Sequence, residues 1–250
     1  MRAKTLEVTT PDGVMPVAVH SPDGAEPYPG VLVLSDVWGA GPHIRRAAEK
    51  LSRAGFAAVV PDLYYRYAER TLPYPSVERT ADRIMRTVGL SSAPEERAKD
   101  DRLIADVNAT LVALRDVASV ATDRLGALGF CVGGRAAMLS ACRIPAELRA
   151  VVSFFPTHTL PIVTELRDVS APLLLLFAGD DANVPLMHVD RIQAELLYRE
   201  KTHDVRVYRG ASHGFAHEDR PSYQPRAAGD AWSRATEWLL RYVAKPPSQA

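Results

Sequence analysis

The sequence predicts an α/β fold: a mostly parallel central sheet with helices on both faces. Three observations carry this. Short, largely apolar runs recur at 31–34, 56–60, 125–128, 150–155 and 173–177. Runs of this kind suit strands covered on both faces, whereas a sheet with one wet face alternates polar and apolar. Stretches of helical periodicity lie between them, as in the stripe Leu103, Val107, Leu111 and Leu114. Repeated strand–helix units then demand right-handed crossovers within one sheet. A length of 250 residues suits one such domain. No internal repeat or linker divides the chain, so a single domain over 1–250 is expected.

Taken in order, strands at 6–10 and 15–19 flank Pro11-Asp12-Gly13, a hairpin signal. The run 31–34 ends in Ser35-Asp36-Val37-Trp38-Gly39, and 44–54 forms a helix stopped by Gly55. Strand 56–60 closes in Pro61-Asp62-Leu63-Tyr64. From 64 to 94 the pattern weakens, and Tyr64, Tyr65, Tyr67 and Tyr74 crowd among Arg66, Arg70, Pro73 and Pro75. Long irregular insertions are often lids or binding loops. A solvated loop with its tyrosines packed outside is an equal alternative. An amphipathic helix over 95–118, strands at 150–155 and 173–177, a helix over 189–200, a strand at 205–208 and a closing helix over 228–243 follow. Residues 245–250 read as a frayed tail.

Bulk properties exclude several classes of function. Lys+Arg and Asp+Glu both number 30, so no basic excess recommends a nucleic-acid partner. No apolar run approaches the roughly 20 residues that cross a bilayer, and the N-terminus lacks the apolar core of a signal peptide. The two cysteines, Cys131 and Cys142, exclude a disulfide scaffold and match no zinc or C-x-x-C spacing. The expectation is a cytoplasmic, soluble monomer or small homo-oligomer with no bound metal, acting on a small molecule rather than on a nucleic acid or a membrane.

The stretch Gly129-Phe130-Cys131-Val132-Gly133-Gly134 carries the chemistry. It joins an apolar strand to a helical start, and it fits the G-x-nucleophile-x-G pattern of a nucleophile elbow with Cys in place of the more usual Ser. A turn this sharp strains its central residue and needs small neighbours. It also sets the thiol at the sheet's carboxyl edge near a helix N-terminus, which favours thiolate and oxyanion alike.

A cysteine nucleophile needs a base and a group that orients the base. In α/β-hydrolases these follow the nucleophile in the order acid, then His. Gly179-Asp180-Asp181 follows one strand and Ser212-His213-Gly214-Phe215 another, both on the edge that bears Cys131. His213 is the candidate base. Asp180 and Asp181 compete for the orienting role, one of them shaping the turn through its own backbone, and Asp181 is favoured. Backbone N–H groups of Val132 and Val37 are the candidate oxyanion donors. Asp36, in the same loop as Val37, is either a strand-end turn residue or a second carboxylate that alters the thiol's protonation.

From Tyr28 to about Tyr242 these motifs, in this order, resemble the dienelactone hydrolase family, the carboxymethylenebutenolidase-like α/β-hydrolases. The resemblance implies a Cys-His-Asp triad on Cys131, His213 and Asp181 without metal or organic cofactor. It also implies that Asp36 occupies the place of a glutamate thought to activate the thiol when substrate arrives, one methylene shorter. Enzymes of the family that cleave dienelactone hold its carboxylate with arginines, one of them four residues after the catalytic His. That place is His217 here. Arg79, Arg83 and Arg86 lie in the variable insertion. Trp38, Tyr64, Phe155 and His217 are the candidate substrate-binding residues.

The expected function is hydrolysis of carboxylic esters or lactones through an acyl-enzyme. Competing expectations are acyl transfer or lactone rearrangement on the same triad, a non-catalytic binding protein on a hydrolase scaffold, and a thiol redox sensor.

Overall fold

The chain is described by a computed structural model covering residues 1–24, 26–75, 77–91 and 93–244. Eight strands form one sheet: β1 (Arg2–Thr10), β2 (Gly13–Ser21), β3 (Tyr28–Leu34), β4 (Ala57–Pro61), β5 (Val120–Phe130), β6 (Val151–Phe154), β7 (Leu173–Ala178) and β8 (His203–Tyr208). Their spatial order is β1-β2-β4-β3-β5-β6-β7-β8. The β1–β2 hairpin and its junction with β4 are antiparallel, and every pairing from β4 through β8 is parallel. The tail expected at 245–250 lies outside the described residues.

The apolar runs are continuous because alternate residues serve two separate cores. In β7, Leu173, Leu175 and Phe177 face one cluster, and Leu174, Leu176 and Ala178 the other. Helices α3 (Pro94–Ala113), α4 (Val132–Arg143) and α5 (Leu186–Tyr198) contribute to the first cluster. Helices α1 (Pro42–Arg53) and α6 (Pro225–Leu239) contribute to the second. Each fully buried Leu, Val or Phe is worth about 1.5–3 kcal/mol relative to exposure, so a one-residue slip of any inner strand would exchange two complete sets of contacts.

Helix α1 starts with Pro42 in its first turn and ends as the glycine predicted. Gly55, at φ +96°, donates its N–H to Ser52 O, and Phe56 donates to Leu51 O. That is the Schellman pattern, sealed by Leu51 and Phe56 in the same core.

Two expectations are corrected. The insertion 64–94 contains a regular helix, α2 (Val77–Thr87), with Ile84 packed on the second core and Arg83 buried. The long amphipathic helix is shorter at its end, α3 stopping at Ala113 before a 3-10 turn over Leu114–Asp116. A further 3-10 stretch, Leu160–Asp168, was not visible in the sequence.

At the elbow between β5 and α4, two glycines are required by space. A Cβ on Gly133 would stand 2.2 Å from Leu34 O, and one on Gly129 2.0 Å from Gly133 O. Gly229 of α6, by contrast, would meet nothing within 4 Å. Gly133→Ala should therefore lower unfolding free energy by about 3 kcal/mol or more, at or beyond the usual cost of overpacking. Gly229→Ala should raise it by up to about 1 kcal/mol, the helix-propensity difference. Urea denaturation of the two variants checks both signs.

Candidate active site

Cys131 is the residue before α4 and has φ +55° and ψ −117°, a strained backbone for a side chain with a Cβ. Surrounding hydrogen bonds hold it there. Its N–H donates to Phe154 O (3.0 Å), and its carbonyl accepts from Arg135 N (3.1 Å) and Thr157 N (3.4 Å). Val132, the first residue of α4, presents its amide beside the thiol at the positive end of the helix.

The turns after β7 and β8 deliver the carboxylate and the imidazole. Asp181 Oδ2 lies 2.7 Å from His213 Nδ1, and Asp181 Oδ1 accepts from Asn183 N at 2.8 Å. Asp181 is buried and Asp180 is exposed, so Asp181 is the carboxylate that reaches the ring. His213 is drawn in two directions. Burial pushes its pKa down, but the Cys131 sulfur and the Asp181 carboxylate outweigh that and raise it to about 10. An imidazole so raised keeps its proton through the neutral range. Phe155 packs edge-on against this ring at 5.1 Å between centroids.

A cavity of about 260 Å³ opens over Cys131. Val37, Trp38, Thr157, His158, His213 and Arg220 are among the residues that wall it, with Tyr74 and Ile84 from the insertion. The turn carrying Val37 is pinned from α2. Arg83 donates to the carbonyls of Val37 (3.1 Å), Arg70 (3.2 Å) and Glu69, and its guanidinium stacks over Tyr64 at 4.3 Å. Both Nη atoms donate to backbone carbonyls, and Arg83 is not among the residues that wall this cavity. Arg79 and Arg86 pair at the surface with Glu69 and Asp82.

Behind Val37 lies a buried charge cluster. Asp36 is fully buried; Oδ1 accepts from Trp38 N (2.9 Å), and Oδ2 accepts from Arg220 Nη2 (2.5 Å). His43 Nε2 and His217 Nε2 approach the same Oδ2 at 3.2 and 3.3 Å. Burial alone would raise the Asp36 pKa. The two imidazoles reverse this and hold the carboxyl well below its usual range.

Two of the four candidate substrate-binding residues, Tyr64 and Phe155, are placed elsewhere, and His217 is not among the walls of the cavity over Cys131. Trp38 walls the cavity, but Tyr64 is buried beneath Arg83, and Phe155 supports His213 from behind. His217 is buried against Asp36, and that burial pushes its pKa down to about 4. It is neutral at pH 6 and offers substrate no titratable charge, contrary to the role expected from its position. The cation at this site is Arg220, seven residues after His213. The spacing rule missed it because the chain makes a further turn, with His217 N donating to Gly214 O and Arg220 N to His217 O.

Strand order and elbow define an α/β-hydrolase-type fold with a thiol, an imidazole and a carboxylate gathered at the sheet's carboxyl edge. A model of the dienelactone hydrolase family matches residues 15–243, and the chain belongs to that family. It is 29% identical over 250 residues to a Methylorubrum extorquens protein named "Putative carboxymethylenebutenolidase", covering 96% of this chain and 81% of that one. It is 30% identical over 220 residues to a Bradyrhizobium protein named "Probable 2-oxo-3-(5-oxofuran-2-ylidene)propanoate lactonase", covering 84% and 83%. Among solved structures, a "Putative Dienelactone Hydrolase" from Klebsiella pneumoniae superposes with a TM-score of 0.85 at 26% identity, covering 96% of this chain and 99% of that one.

The two cysteines are both free, and their environments make opposite predictions. Burial raises the Cys142 thiol to about 12, whereas Cys131 faces the raised imidazole of His213. Iodoacetamide at pH 6.5 should label Cys131 and spare Cys142, as mass spectrometry would read directly. His213→Ala should slow the Cys131 reaction by at least about tenfold, the effect of losing a neighbouring imidazolium. An unchanged rate would show that His213 does not activate the thiol.

Proposed function

We propose that this protein hydrolyses carboxylic esters or lactones through an acyl-enzyme on Cys131. The observation that carries the reading is the 2.7 Å Asp181–His213 contact beside a thiol on a strained elbow. In this mechanism Cys131 Sγ attacks the carbonyl carbon, and the π electrons move onto oxygen. The N–H groups of Val132 and Val37 stabilise that oxyanion. His213 gives its proton to the departing alkoxide, then takes one from the water that cleaves the thioester. Asp181 holds the ring so that Nδ1 faces the carboxylate and Nε2 the reacting atoms. The His213 side chain is 18% exposed, so water can reach it.

A thiolate suits esters, enol lactones and thioesters because their leaving groups are good. Arg220 extends this reading to lactones bearing a carboxylate, a class to which the Bradyrhizobium relative's named substrate belongs. A guanidinium can hold a carboxylate with two parallel N–H donors. Tyr74, Thr80 and Ile84 of the insertion act as a partial cover in this reading, since all three wall the cavity.

Four measurements test the proposal. Cys131→Ala should lose at least about three orders of magnitude in kcat on aryl esters and lactones, the scale set by a nucleophile acting with its base. Full activity in that variant would end the mechanism. Asp181→Asn should cut kcat deeply and Asp180→Asn only slightly; the reverse ranking would reassign the acid. Arg220→Met should reduce kcat/KM for a carboxylate-bearing lactone by roughly tenfold to a hundredfold more than for a neutral ester, as expected for losing a charged hydrogen bond. Because His217 is neutral above about pH 4, His217→Asn should leave the wild-type ratio between those substrates, and its dependence on pH between 5 and 8, unchanged. A ratio that becomes less pH-dependent in the variant would return the charge to His217.

A further inference from the structure

A second cavity, of about 480 Å³, adjoins the one over Cys131. The two have Trp38, Tyr74 and Arg220 as common walls. These three side chains pack as one partition. Trp38 and Tyr74 meet edge to face at 5.1 Å, and the Arg220 guanidinium lies 5.4 Å from each ring centroid. Shared side chains therefore stand where the cavities meet, so a rotamer change there can join them.

The outer cavity's chemistry is legible from its walls. Pro42, Leu72 and Pro73 add apolar surface to the faces of Trp38 and Tyr74. Its two acidic residues are already engaged, Glu69 with Arg79 and Asp219 with Arg46. Arg220 pairs with Asp36 and is the cation that the proposed function assigns to the cavity over Cys131, and burial keeps His217 uncharged at neutral pH. Away from Arg220 and His43, the wall is made of flat rings and apolar side chains, a surface that selects an uncharged, flat ligand group. The inner cavity, at about 260 Å³, is below the usual range of roughly 300–1,000 Å³ for a site that buries a whole drug-sized ligand. The outer one falls within it.

We infer that the substrate spans both cavities, with the ester or lactone carbonyl over Cys131 and an uncharged aromatic or alicyclic ring beyond Trp38 and Tyr74. The inference rests on the hydrolase reading and adds the substrate class: two-part molecules whose second ring lies away from the bond that breaks.

Two esters with a common leaving group probe it, 4-nitrophenyl acetate and 4-nitrophenyl 4-phenylbutanoate. The phenylbutanoate should have a kcat/KM at least about tenfold higher, mainly through KM, the usual scale for burying a ring. Thr71→Trp, which places an indole in the outer cavity from an exposed position, should abolish most of that ratio. In parallel, calorimetry on Cys131→Ala protein should find the phenylbutanoate bound at least about tenfold more tightly than the acetate, with the difference lost in Cys131→Ala/Thr71→Trp. Equal ratios with and without Thr71→Trp, in rate and in binding, would overturn the outer subsite. A binding preference that persists while neither ester is hydrolysed would leave the subsite standing and overturn the hydrolase reading instead.

Discussion

The close approach of two backbone segments at the elbow governs the rest of the site. The Cα of Gly133 sits so near the end of β3 that an added Cβ would reach 2.2 Å from Leu34 O and 2.4 Å from Ser35 O. Strands β3 and β5 are parallel neighbours, paired through Leu34 and Gly129. The contact therefore locks the start of α4 against the exit of β3, which bears Asp36, Val37 and Trp38. Any displacement of one strand carries the other with it. Positive φ at Cys131 is tolerated for the same reason: three hydrogen bonds and a pair of abutting main chains over-determine it.

From that junction, buried charge extends the order outward. Asp36 gathers Arg220 and His217 from the loop after β8 and His43 from α1. Arg135 of α4 performs a similar task on the other side. Its guanidinium grips Asp100 of α3 at 2.5 and 2.8 Å and donates to the carbonyls of Gly89 and His158. His158 walls the cavity, and Gly89 follows α2. Buried ion pairs add little net stability, because desolvation offsets most of the attraction. Breaking one is costly, however, and that asymmetry suits a device for fixing position. Here the Arg135–Asp100 pair ties one side of the cavity to the helix that follows the thiol, and the Asp36 cluster ties the other side to the loop after β3.

The sequence made the strands, the elbow and the chain order of thiol, carboxylate and imidazole legible, each for a local reason. Gly129 and Gly133 signal a tight turn, and period-free apolar runs signal strands with two covered faces. Asp181 and His213 each follow a strand whose carboxyl end lies on the same edge. What escaped was set by tertiary packing. Helix α2 looked like an irregular insertion because its buried residue is an arginine, Arg83, which donates to carbonyls of the loop after β3 and of the insertion itself. His217 occupied a position that reads as substrate-binding, yet the chain turns it inward against Asp36. Arg220 comes to the cavity only because two successive turns follow His213. Linear spacing carries no record of such turns.

The same packing bears on how Asp36 could influence the thiol. A carboxylate acts as a proton acceptor when its pKa approaches that of the donor, and Asp36 is driven the other way. Trp38 N–H and Arg220 donate to its oxygens, while His43 and His217 approach one of them. While those partners stay in place it remains a carboxylate, held below the range in which it would take a proton from sulfur. Proton transfer from sulfur to Asp36 is disfavoured for as long as Asp36 holds those partners. Arg220 walls both cavities and leans on Trp38 and Tyr74. Because Asp36 neutralises Arg220, a ligand that draws the guanidinium toward itself also uncovers the carboxylate's charge beneath the loop of Val37. The short side chain of Asp36, compared with a glutamate, keeps that charge close to the strand end and leaves the reach into the cavity to Arg220.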